Sequence, residues 1–227
     1  MTPIRRAGLL YLLLGITGAI GLFGPRAVIV PGDAAATADK IRSSESLFRV
    51  MISSELISSV VFIFVALALY RVFRDVDQGQ AALMVILVLV SVPISFLNVL
   101  NELGALVLLS GADFLSVFDR SQLDAVAYLF LRLHSLGIVV VEMFWGLWLL
   151  PLAGLTFRSG VVPRVVGALL IVAGVGYVVT SLASLLVPQY ASLVSTITLP
   201  ATVGEFAIIV WLLFTRRGTV PARAQVA

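Results

Sequence analysis

The sequence predicts an all-α, polytopic bundle of six transmembrane helices, and three observations carry that reading. Sixty per cent of the 227 residues are hydrophobic and only 12% are charged, a balance far from that of a soluble globular domain. Six mostly apolar stretches reach or approach the roughly 20 residues that a bilayer core of about 30 Å requires at a rise of about 1.5 Å per residue. Between those stretches the arginines gather at helix ends, mostly on one side, as they do in membrane proteins. The first partner of this chain is therefore the lipid bilayer.

The spans fall at about 7–23, 47–70, 81–109, 124–150, 162–186 and 198–215. Ahead of the first, Arg5 and Arg6 could pass for the basic region of a secretory signal. No small-x-small cleavage site ends the run at Phe23, however, and Gly8, Gly15, Gly18 and Gly21 suit a helix packed closely on its neighbours. A polar segment, residues 24–46, follows; in it Asp33 can cap a short helix carrying Ala34, Ala35, Ala36, Ala38 and Ile41. In the third span Ser91, Ser95, Asn98 and Glu102 step by four, three and four and so line one face. Tyr128, Arg132 and Ser135 form a polar stripe in the fourth, Tyr177, Thr180, Ser181 and Ser184 in the fifth, and Thr198, Thr202 and Glu205 in the sixth. Residues 1–217 are expected to form one transmembrane domain, with 218–227 a short disordered cytoplasmic tail.

Charge sets the orientation. Arg5, Arg6, Arg71, Arg74, Arg158, Arg164, Arg216, Arg217 and Arg223 fall on one side, against Arg26, Lys40, Arg42, Arg49 and Arg120 on the other. Nine against five places both termini in the cytoplasm. Trp145, Trp148 and Trp211 then fall near the inner interface, where an aromatic belt belongs. The three outward connections, Val30-Pro31-Gly32-Asp33-Ala34, Leu109-Ser110-Gly111-Ala112-Asp113 and Val187-Pro188-Gln189-Tyr190-Ala191, look alike, and Gly32 to Glu55 spans the same distance as Gly111 to His134. That pattern suggests three parallel helical hairpins with short outward amphipathic segments. The alternative is that Gly, Pro and Asp simply mark helix ends.

Ionisable side chains inside spans cost roughly 2.5–3.5 kcal/mol each near mid-bilayer on insertion scales, so each requires an explanation. Glu55, Glu102, Arg132, His134 and Glu205 all fall roughly 10–15 Å below the outer surface by residue count. Together with Asn98, they are expected to line one polar chamber in the outer half of the bundle. Three carboxylates there face one fixed cation and one imidazole, and like charges in low dielectric cannot all remain ionised. Protons, metal ions or cationic and amphiphilic small molecules are the natural ligands. The bland alternative is a structural ion pair around Arg132 that fixes helix register, with His134 a hydrogen-bonded core residue. Glu142, deeper in the fourth span, is expected to reach water at the inner interface.

With no cysteine, disulfides, thiolate nucleophiles and Cys-ligated metals are excluded. The net charge of +3 does not indicate nucleic acid, because the arginines sit at helix ends and not along one face. His-Glu-x-x-His, Gly-x-Ser-x-Gly and Walker patterns are absent, so no catalytic residue is assigned and no cofactor is predicted. One weak opening remains, a divalent metal held by His134 and carboxylates with Arg132 steadying an oxyanion in a membrane hydrolase. A scaffold role in a membrane complex, or a homo-oligomer packed through Gly8, Gly15, Gly167 and Gly174, is a further alternative.

Arg6-Ala7-Gly8-Leu9-Leu10-Tyr11-Leu12, Ile29-Val30-Pro31-Gly32-Asp33-Ala34-Ala35-Ala36-Thr37-Ala38 and Leu109-Ser110-Gly111-Ala112-Asp113-Phe114-Leu115 resemble segments of a bacterial multi-pass membrane family of unknown function, of the DUF4386 type. Leu133-His134, Arg158-Ser159-Gly160, Pro188-Gln189-Tyr190-Ala191 and Gly204-Glu205 extend the resemblance over nearly all of residues 5–216. It implies a bacterial inner-membrane location and carries no established activity.

Overall fold

The computed structural model describes residues 1–198 and 203–215. Thr202, Arg216, Arg217, Arg223 and the tail expected at 218–227 lie outside the described residues. Those described are α-helical with short turns between. The helices are α1 (Pro3–Phe23), α2 (Ala34–Ser43), α3 (Glu45–Phe73), α4 (Gln78–Leu109), α5 (Arg120–Ser159), α6 (Arg164–Leu186), α7 (Ala191–Thr198) and α8 (Val203–Phe214). Six stretches are long and apolar enough to cross a membrane, the last running from Pro188 to Phe214.

The largest departure from the expected spans is α5, which continues nine residues past 150 and through Pro151. Proline removes the donor for the Leu147 carbonyl, yet Leu149, Leu152, Ala153 and Leu155 keep one buried stripe running across it. Burial outweighs a single lost backbone bond. Pro93 sits inside α4 in the same way.

The chain forms two compact units. The first comprises Met1–Leu14, Val61–Val92 and Val139–Ala227, and the second Gly15–Val60 and Pro93–Ile138.

Unit one is held by Val65, Leu69 and Phe73 of α3, Leu152 and Leu155 of α5, Leu170 of α6, and Ile208 and Leu212 of α8. Trp148 is not an interface residue. It is buried in this core, edge-on to Phe62 at 4.9 Å and tilted against Tyr11 at 5.7 Å. Helices α5 and α6 touch almost backbone to backbone, since a Cβ on Gly146 would lie 2.5 Å from the Gly174 carbonyl oxygen. Asp77 accepts from the Gln80 amide at the start of α4 and pairs with Arg158 near the end of α5.

Unit two has its own core of Phe48, Met51, Ile52, Val99, Leu106, Ala127 and Leu131. As the sequence predicts, Asp33 caps α2, accepting from the Ala36 amide at 2.8 Å. Gly32 and Gly111, at φ +79° and +73°, both occupy the left-handed region that glycine enters without strain. The first two of the three similar-looking connections share a left-handed glycine, and the second and third share a 3₁₀ turn, at Asp113–Leu115 and Pro188–Tyr190. Helix α2 is fastened to the first turns of α5 by charge: Arg42 pairs with buried Asp124 at 2.5 Å and Arg120 with Asp39 at 2.6 Å. Asp119 and Gln122 cap the start of α5 reciprocally, each side chain meeting the other's backbone N–H.

Candidate functional site

In unit two, three helices each bring one ionisable side chain inward. On α3 the buried positions Phe48, Met51, Ile52, Glu55 and Ser59 follow helical spacing, so Glu55 continues an otherwise ordinary core stripe. On α4 the predicted stripe of Ser91, Ser95, Asn98 and Glu102 is buried throughout. On α5 the inward face is Asp124, Ala127, Leu131 and His134.

These stripes meet at Glu55, Glu102 and His134. One donor atom from each lies within 4.8 Å of the others. The His134 Nε2 is 3.2 Å from the Glu55 carboxylate, and its Nδ1 is 3.8 Å from Glu102 Oε1. Glu102 is 1% exposed. Glu102 Oε2 is buried without a hydrogen-bond partner, an arrangement that ordinarily costs about 1–3 kcal/mol and more for a charged group, and Glu55 Oε2 has only the 3.2 Å approach of the same His134 Nε2 that Oε1 meets.

The supports of the site are backbone contacts. Asn98 Nδ2 donates to the His134 carbonyl at 3.0 Å, and Asn101 Nδ2 donates to Asn98 Oδ1 at 3.2 Å. A Cβ on Gly137 would run into the Asn98 amide, so α4 and α5 approach closely just where His134 is presented. From the other side α1 brings Gly21 onto the Glu55 backbone, leaving 3.0 Å for a Cβ. Ser54 donates to the Thr17 carbonyl at 2.9 Å and fixes that pair of helices.

The expected five-residue cluster is thus three residues, with Asn98 as their support. Arg132 is exposed and pairs with no other described residue. The reason is angular: two residues on a helix are about 200° apart, so Arg132 cannot face inward while His134 does. Glu205 belongs to unit one, where it accepts hydrogen bonds from Tyr11 Oη at 2.7 Å and Tyr177 Oη at 2.8 Å. Glu142, expected at the water interface, is half-buried. The fifth-span stripe also engages its neighbours, Thr180 with Thr198 at 2.7 Å and Ser181 with the Val139 carbonyl at 2.7 Å.

Sequence reasoning missed two polar pairings. Tyr11 carried no visible signal, because a single tyrosine in an apolar helix is ordinary core. Asp124 sits on the α5 stripe at 124, 127, 131 and 134, and that spacing would have found it.

A family model described as a domain of unknown function, DUF4386, matches residues 6–215. No curated protein and no solved structure matches the chain.

Proposed function

The chain belongs to the DUF4386 family, and from that starting point we propose that it is an inner-membrane protein whose Glu55–Glu102–His134 group holds a small cation or takes up and passes on protons. The observation that carries this reading is two buried carboxylates served by one imidazole: Glu102 Oε2 has no donor, and both Glu55 oxygens share the single His134 Nε2 at 3.2 Å. A lone buried carboxylate oxygen is expensive, and two beside one another are more so unless a positive species lies between them. Within 4.8 Å there is room for an ion or a proton, whereas an amphiphile would need a larger opening. Asn98 is the positioning residue, holding the His134 backbone. The bacterial inner-membrane location and cytoplasmic termini rest on the charge asymmetry and the family resemblance.

The test is the thermal stability of the protein in bilayer discs across pH, compared with Glu55→Gln and Glu102→Gln. A titrating or ion-holding group makes the wild-type profile differ from both variants. Superimposable profiles would remove the proposal.

The hydrolase alternative loses its oxyanion partner, since Arg132 is exposed. The oligomer alternative is narrowed, because Gly8, Gly167 and Gly174 are filled by the chain's own Leu212, Thr156 and Gly146, leaving only Gly15 with open space before it.

A further inference from the structure

We infer that Glu55, Glu102 and His134 are ligands of a divalent transition-type cation, zinc being the type case. This rests on the cation-site reading above and specifies the ion. Four features of the group favour such an ion over a monovalent or a hard alkaline-earth one.

The donor set is mixed, two carboxylates and one imidazole. Magnesium and calcium take about six or more oxygens, and magnesium gives up its waters reluctantly, whereas zinc, manganese and iron accept imidazole with carboxylate.

Spacing is the second feature. Ligand atoms about 2.1 Å from a tetrahedral ion stand roughly 3.4 Å from each other. The His134 Nε2 to Glu55 contact, at 3.2 Å, has that length, and the 4.8 Å limit on the whole group leaves about one ångström of side-chain closure. The three residues come from three helices, so the site exists only in the folded chain.

Charge is the third. In the deprotonated form that ligation requires, two carboxylates and a neutral imidazole would sum to −2, which a divalent ion cancels and a monovalent one does not. No arginine or lysine among the described residues pairs with Glu55 or Glu102 to do it instead.

The fourth is unmet coordination. Glu102 Oε2 is buried without a partner in an almost wholly enclosed side chain, and the two Glu55 oxygens share a single neighbour, His134 Nε2, at 3.2 Å. Three protein ligands leave one position of a tetrahedron for water or another small ligand.

The experiment uses the full chain in bilayer discs, stripped with chelator and then titrated calorimetrically with zinc, manganese, magnesium and sodium ions in turn. One equivalent of zinc is expected to bind, with proton release and a rise in Tm. His134→Gln and Glu102→Gln should weaken binding by about 100-fold or more, given that even a lost supporting contact costs about 10–100-fold. Arg132→Leu and Glu205→Gln should leave it unchanged. Cobalt substitution adds a readout independent of folding, since the visible spectrum of the wild type should show a low-coordinate site that His134→Gln abolishes. If zinc binds wild type and His134→Gln equally, or not at all, the inference is overturned. Stability that nonetheless depends on pH through Glu55 and Glu102 would then leave the broader proposal standing, and the loss of both responses would remove both.

Discussion

Asn98 fills the space that a side chain on Gly137 would need, and from there it donates to the backbone carbonyl of His134. The glycine is therefore what lets α4 and α5 approach closely enough for the amide to hold the histidine's turn. Gly137→Ala should force Asn98 aside and destabilise the protein by about 1–3 kcal/mol, the usual cost of overpacking. It should also weaken any ion binding more than a methyl added at exposed Leu136 or elsewhere on that face. Thermal unfolding paired with ion titration of the same variant checks both outcomes.

Glu205 has both oxygens engaged, one by Tyr11 and one by Tyr177. Tyr11→Phe or Tyr177→Phe leaves one oxygen without its donor, at about 1–3 kcal/mol. Because the two tyrosines share one acceptor group, the double variant should differ from the sum of the singles, as neighbours in one network do. Additive losses in a double-mutant cycle would show that the two bonds act separately.

At the α2–α5 contact the two partners differ in burial: the Asp124 side chain is 7% exposed and that of Arg42 27%. Arg42→Gln strands a carboxylate in the core, while Asp124→Asn leaves a guanidinium that still reaches Asp39 at 3.4 Å. Arg42→Gln should therefore be the more damaging of the two, and equal losses of Tm would contradict this asymmetry.

The Ser121 hydroxyl and then the Gln122 amide hold the Asp119 carboxyl below the usual aspartate range. Its folded value is depressed, so the cap contributes fully above the ordinary aspartate pKa and is lost as pH falls through the folded one. Protection of the Gln122 amide from exchange should drop only below the ordinary aspartate range, about 4. In Asp119→Asn that acid-dependent step should vanish.

Arg132 provides the control. Lying on the outer face of α5, its replacement by leucine should leave fold and ion binding intact, in contrast to Glu102→Gln. Loss of binding in Arg132→Leu would restore the residue to the site.

Much of this architecture is written in local patterns. Apolar length gave the six spans, Asp33 announced the α2 cap, and steps of three and four placed Ser95, Asn98 and Glu102 on one buried face. Depth along the chain brought Glu55, Glu102 and His134 to one level correctly. Depth alone says nothing about the angle around each helix, which is why Arg132 and Glu205 joined the expected cluster. For Arg132 the missing step was local, since its two-residue offset from His134 already points it away. Glu205 was different: its partners Tyr11 and Tyr177 lie 194 and 28 residues away, and no spacing rule connects them. The end of α5 lies nine residues beyond the expected boundary at 150, because burial on both sides of Pro151 carries the helix through it.

The forty residues of α5, at about 1.5 Å each, give the helix a length along its own path of roughly 60 Å, twice the thickness of a hydrocarbon slab. Arg120 is fastened to Asp39 at one end and Arg158 to Asp77 near the other. A helix with that much length to spare can meet a thicker or thinner bilayer by tilting or kinking, at fractions of a kcal/mol per ångström, without drawing either charged end into the oil.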